Sequence, residues 1–298
     1  MGNALLRLLI VVPASTLVAR ACDAHVIAAS AVHANIDFDS ALVTVLVAIS
    51  ALYARGVSRL WRKAGIGRGV RVADVVCFAL GIAVLVAALV SPLAALADRS
   101  FSMHMIEHEM LMIVAAPLLV RARPLEAWAW ALSTGVRGRL VRFTRITTVA
   151  WLWRSTTAPV SATVVHALAL WLWHAPPLFV AALGSEPLHV LQHVCFFASA
   201  LAFWWAMFGG ATRNPGPLSL ACLFATMLHT SALGALLTLA PSAVYGSAEP
   251  GVFGLTALQD QQLGGLVMWV PGGLAYVVAG LAIVAHWLAP PRVSRNVR

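Results

Sequence analysis

Between Met103 and Pro117 the chain sets His104, Glu107, His108 and Glu109 at the head of an otherwise apolar run. Ionisable groups carried into hydrocarbon are costly unless they face a cavity, a partner or an ion, so such a run points to function. His104 and His108 are one helical turn apart, share a face, and can grip one ion together. The same spacing recurs at His189 and His193, and Trp173-His174-Ala175-Pro176-Pro177 adds an imidazole where two prolines loosen the end of an apolar span. Asp260 stands at the mouth of the last apolar run, where it is expected either to cap a helix or to steady a ligating imidazole. Imidazole accepts zinc or copper, and Met103, Met105 and Met110 bias the choice toward Cu(I). The candidate metal set is therefore His104, His108, His174, His189, His193, Asp260 and Met103.

Each of these residues also has an ordinary structural reading. A single histidine in a membrane helix more often bonds a neighbouring helix than a metal, and that is the expectation for His166, His229 and His286. A methionine stripe is commonly packing. Glu107 and Glu109 are expected to face water or cap a helix, with pairing to a histidine as the alternative for Glu107. Cys22, Cys77, Cys195 and Cys222 form no Cys-x-x-Cys pair, so neither a disulfide framework nor a zinc knuckle is indicated. Cys195, two residues after His193, is the one cysteine placed to offer a soft ligand.

The elements that must position these groups are membrane helices. With 61% hydrophobic and 10% charged residues and a mean hydropathy of +0.87, the chain reads as all-α, a polytopic transmembrane helical bundle. Its net charge of +9 lies between apolar spans, where it sets topology, and nucleic acid is not expected as a partner. Seven spans, at residues 38–54, 73–97, 103–120, 158–182, 188–209, 218–240 and 263–289, each approach the ~20 residues needed to cross a bilayer. Residues 1–21, with a short apolar run ending in Ala19-Arg20-Ala21, read as a signal peptide or an extra N-terminal anchor. Residues 22–37 then form an extracytoplasmic segment, 38–290 the seven-helix domain and 291–298 a cytoplasmic basic tail.

Six Lys/Arg between Arg55 and Arg71, seven between Arg121 and Arg154, Arg213 and three in the tail all fall on one side of the alternating spans. The positive-inside rule puts that side in the cytoplasm. His104 and His189 then lie near the outer surface, with His108 and His193 about 6 Å deeper at 1.5 Å per residue. The segment from Arg121 to Pro159 alternates tryptophans with arginines, as helices lying in the headgroup layer do. Gly264-Gly265 and Gly272-Gly273, two turns apart, predict one close-packing face, and Pro271 predicts a kink.

His104 through His108 running into Ala115-Ala116-Pro117-Leu118-Leu119, the Trp173 to Leu178 stretch, and Leu188 to His193 with Phe203-Trp204-Trp205 carry a family resemblance. Its most specific block is Asp260-Gln261-Gln262-Leu263-Gly264-Gly265 through Met268-Trp269-Val270-Pro271-Gly272-Gly273. Together these resemble the CtaG-type cytochrome c oxidase assembly proteins, polytopic membrane proteins associated with caa-type oxidases, over about residues 35–290. The resemblance implies a non-enzymatic helper in a bacterial plasma membrane, with oxidase subunits and the lipid bilayer as partners, that holds or passes copper at the outer face. Two other readings stay open: a haem b protein ligated by His166 and His229, and a copper or proton transporter, for which His166 and His286 give a broken polar trail.

Overall fold

Proline and serine, rather than the ends of apolar runs, decide where the helices break. In the structure, a computed structural model, residues 40–208, 216–245 and 252–288 are described; the expected leader or anchor, the segment 22–37, Arg213 and the basic tail lie outside them. The first span, α1 (Ser40–Ala64), continues ten residues past its expected end. Arg55, Arg59, Arg62 and Lys63 are good helix formers and carry the helix on beyond its apolar part. The second expected span stops early: α2 (Val72–Leu89) gives way to α3 (Pro92–Ala97), because Ser91 caps the new helix by accepting from Leu93 N at 3.1 Å and Pro92 takes its first turn.

Span three consists of α4 (Phe101–Glu109), a π-helical stretch (Met110–Ala115) and α5 (Ala116–Arg121). Pro117 has no N–H, and its ring crowds the carbonyl of Ile113 one turn back, so the turn before it widens. The widening leaves the Met112 carbonyl five residues before Pro117 with no backbone donor. The Trp204 indole supplies one, at 2.7 Å.

Helices α6 (Pro124–Ala131), α7 (Thr134–Thr144) and α8 (Thr147–Thr156) follow. The first returns along α1, closely enough that a Cβ on Gly56 would come within 1.8 Å of the Ala127 carbonyl oxygen. Trp128 Nε1 donates to the Ile49 carbonyl at 3.1 Å, and Tyr53 OH to that of Ala122 at 2.9 Å. By contrast α7 and α8 bury no residue and leave Phe143, Trp151 and Trp153 exposed, as surface-lying helices do.

The fourth expected span is where the structure differs most. It is broken at His174 into α9 (Pro159–Trp173) and α10 (Pro176–Leu183), because Pro176 cannot continue the helix. A full crossing there requires α8 and α9 together, a pair bent by 67°. The remaining spans are α11 (Glu186–Phe208), α12 (Pro217–Thr238), and α13 (Ala257–Val267) joined through a second π stretch (Met268–Gly272) to α14 (Gly273–Leu288). Pro271 widens span seven as Pro117 widens span three, and this is the form the expected kink takes. Among the described residues the architecture is thus an all-α membrane bundle of six spanning helices, or seven with the bent pair.

Span three is the axis of the bundle. Of the six, its apolar window is the most buried, at 56%, against 22% for α1. Span seven packs on it through glycine, and the two Gly-Gly pairs divide their faces between two neighbours. Cβ atoms on Gly264 and Gly272 would meet Phe101 and Glu109 of span three; on Gly265 and Gly273 they would meet Thr238 and Ser231 of α12. The expected close packing is present, but it serves two helices rather than one.

Candidate functional site

The orientation of α4 is fixed from another span. The Asp260 carboxylate, on α13, accepts from Phe101 N at 2.7 Å, Ser102 N at 3.2 Å, Ser100 Oγ at 2.8 Å and Ser102 Oγ at 2.5 Å. Ser100 Oγ in turn accepts from Met103 N at 3.3 Å. Otherwise orphaned N–H groups at the start of span three are thereby satisfied by a negative charge at the positive end of the helix dipole. Of the two roles expected for Asp260 the structure gives it capping, and on α4 rather than its own helix, which Thr256 and Gln259 cap. With both oxygens so engaged, Asp260 is not placed as a metal ligand.

The fixed rotation turns His104 and His108 inward, each 1% exposed. Their rings are 4.2 Å apart between centroids. Facing them on α11 are His189 and His193, 4.4 Å apart. Across the interface, His104 lies 5.2 Å from His189 and His108 lies 5.1 Å from His193. The two pairs that sequence placed at matched depth do meet. His174, released from the helix at the end of α9, reaches within 6.3 Å of His108. Its Nδ1 is 2.7 Å from the Leu170 carbonyl, so Nδ1 carries the proton and Nε2 offers its lone pair.

Most ring nitrogens of this cluster have no hydrogen-bond partner among the described residues. Both ring nitrogens of His104 and His108, and Nε2 of His174, His189 and His193, are buried without a hydrogen bond. The amide of Gln192, one residue before His193, is fully buried and equally unpartnered. Buried polar atoms are nearly always satisfied, so several together call for water or an ion between them. Among the described residues, no three His, Cys, Asp or Glu side chains already present their donors to one ion-sized position. The cluster supplies ligand type and proximity; closing on an ion requires the rings to turn within their rotamers.

Glu107 and Glu109 are buried, 3% and 9% exposed, and not water-facing as expected. Glu107 Oε2 stands 3.8 Å from His193 Nε2, too far for a hydrogen bond but at the edge of the cluster. Glu109 instead lies against the π stretch of span seven at Gly272. Met105 packs with Phe179, Leu233, Leu237 and Met268 in an apolar cluster, and Met103, half-buried, is rotated about 100° around α4 from His104. Cys195 is turned about 200° around α11 from His193. The outer side of the cluster is roofed by aromatic rings: Tyr245 stacks on Phe101 at 5.0 Å, packs on Phe179 at 4.3 Å and donates to the His174 carbonyl at 2.9 Å.

The other histidines stand apart. His166 bonds Ser199 Oγ through Nδ1 at 3.0 Å and stacks on Phe203, the interhelical role expected of it, while its Nε2 is buried without a partner. His229 is half-buried with neither nitrogen bonded, and His286 is exposed. Gln192 and the Ser100/Ser102 pair were not singled out by sequence. The available signals were the position of Gln192 between two histidines of one pair and the Ser-x-Ser directly before the histidine helix.

Comparison with known proteins bears on this arrangement. The model of the cytochrome c oxidase caa3 assembly factor (CtaG) family matches residues 51–289, which contain every element of the cluster. Uncharacterized proteins of Mycobacterium bovis and Mycobacterium tuberculosis are each 26% identical over 272 residues, covering 86% of this chain and 40% of theirs. One of Mycobacterium leprae is 26% identical over 265 residues, 84% of this chain and 39% of its own. The chain therefore spans about two fifths of the length of the curated relatives it matches. No solved structure matches it.

Proposed function

The chain belongs to the cytochrome c oxidase caa3 assembly factor family, and on that premise we propose that it helps to build a copper-containing oxidase by holding Cu(I) between spans three and five. The observation that carries this reading is the convergence of five imidazoles, three buried and two half-buried, each with an Nε2 that is buried without a hydrogen bond. Imidazole is a good ligand for copper, and a buried group of them without an ion or water is costly. His104, His108, His189 and His193 would hold the ion, with the Nε2 of His174 completing the set. Met105 lies in apolar packing, so the site is one of nitrogen donors.

When bound, copper supplies the cargo; the chain's own residues hold and release it. Asp260, Ser100 and Ser102 fix the rotation of α4, the aromatic roof limits access, and Glu107 stands beside His193. No bond is made or broken in a substrate. With the basic loops in the cytoplasm, the cluster lies toward the periplasmic face of a bacterial plasma membrane, where an oxidase subunit in the same bilayer can meet it.

The test is oxidase activity and copper content in membranes of wild type, a deletion strain and a His108→Ala strain, at low and high copper. The expected outcome is oxidase subunits that are synthesised but copper-poor in the deletion, and partial rescue of His108→Ala by added copper through mass action. A fully metallated, active oxidase in the deletion strain contradicts the proposal.

A further inference from the structure

At the opposite end of span three from the histidines, a cavity of about 690 Å³ opens between α5, α11 and α14. Its rim is basic: Arg71, Arg121, Arg123 and His286. Two carboxylates face the same region. Asp74, fully buried, pairs with Arg121 and accepts from the Arg71 backbone N–H at 2.9 Å. Glu126 takes Nε and Nη2 of Arg123, whose Nη1 donates to the Gly69 carbonyl at 3.0 Å. Three arginines against two carboxylates leave the rim positive, and Arg121, with 47% of its side chain exposed, has guanidinium donors beyond the one given to Asp74.

Below the rim the wall is apolar, made by Val114, Leu118 and Ile283, and runs down span three from Arg121 to Ile113, about 12 Å at 1.5 Å per residue. A positive rim over an apolar slot at the end of a bundle fits one kind of molecule in a membrane: a phosphate held by arginine with an acyl chain beneath it. We propose that this cavity is a binding site for an acidic phospholipid, with its phosphate at Arg71, Arg121 and His286 and the upper part of one acyl chain against Val114, Leu118 and Ile283. The site is independent of the copper reading and lies in spans that serve the histidine cluster only at their far ends.

The test is native mass spectrometry of the full chain released from neutral detergent, with equimolar phosphatidylglycerol and phosphatidylcholine of identical acyl chains. Wild type should retain one phosphatidylglycerol in preference by roughly five- to tenfold, equivalent to about 1 kcal/mol in total. Arg71→Gln with His286→Gln should bring that preference close to unity while Arg71→Lys keeps most of it; neither residue carries the buried Asp74 pair, so the fold is retained. Arg139→Gln with Arg142→Gln, on exposed α7, should leave it unchanged. Excess inorganic phosphate should not displace the lipid. Equal retention of both lipids, a preference that survives Arg71→Gln with His286→Gln, loss of it in the α7 variant, or displacement by phosphate alone would each overturn the proposal.

Discussion

His108 and His193 face each other across the interface of spans three and five, 5.1 Å between ring centroids, while His286 sits exposed near the far end of span seven. Replacing either of the first two with alanine should therefore weaken Cu(I) binding, by tenfold or more for the loss of one of a few ligands, an order-of-magnitude expectation. His286→Ala should leave it unchanged; competition against a calibrated Cu(I) chelator reads the difference. Asp260→Ala removes the acceptor of four donors at the start of α4 and should cost about 2–4 kcal/mol, seen as a lower Tm in detergent. Asp260→Asn keeps one acceptor oxygen and should retain copper stoichiometry wherever the protein folds, since both carboxylate oxygens are engaged at the start of α4. The histidine pairs were legible in the sequence because i, i+4 spacing is local. The partner of Asp260 was not, since it lies about 160 residues away, and the burial of Glu109 depends on Gly272 of another span.

The elements are shaped by paired exceptions. Pro117 and Pro271 each open a π stretch, and Trp204 repairs the carbonyl that the first one orphans. Trp204→Phe should keep most of the packing, leave Met112 O unbonded and cost about 1–3 kcal/mol, measured by thermal unfolding in detergent. The crossing of α12 with α13 requires glycine on both sides: a Cβ at Gly234 would come within 2.7 Å of Gly265 O, and one at Gly265 within 2.7 Å of Gly234 O. Gly265→Ala should force these helices apart and destabilise the bundle. Gly135→Ala on α7, where nothing lies within 4 Å, should be neutral or slightly stabilising through helix propensity. Hydropathy marked the spans well where one helix fills one crossing. It ran the fourth on to 182 because 158–182 is predominantly apolar, while Pro176 breaks the backbone and leaves His174 at the break. The break that brings His174 beside the other histidines is invisible to an average over the window.

At the scale of the whole molecule, charge asymmetry separates a basic end, with the phospholipid cavity, from an end that holds five imidazoles under an aromatic roof. A reporter active only in the cytoplasm should work when fused after Arg298 and fail when inserted between Pro241 and Tyr245; the reverse pattern would place the histidine cluster on the wrong face for the proposed role. The architecture as a bundle was legible from composition, but the central position of span three was not, because its burial arises from spans two, five and seven packing around it. The account rests most heavily on the claim that the cluster binds copper. The direct measurement is copper stoichiometry of the purified chain under reducing conditions, for wild type, His104→Ala with His108→Ala, and His286→Ala. The account predicts about one Cu(I) per chain in wild type and His286→Ala and almost none in the double variant. Equal copper in all three, or none in wild type after loading, would contradict it.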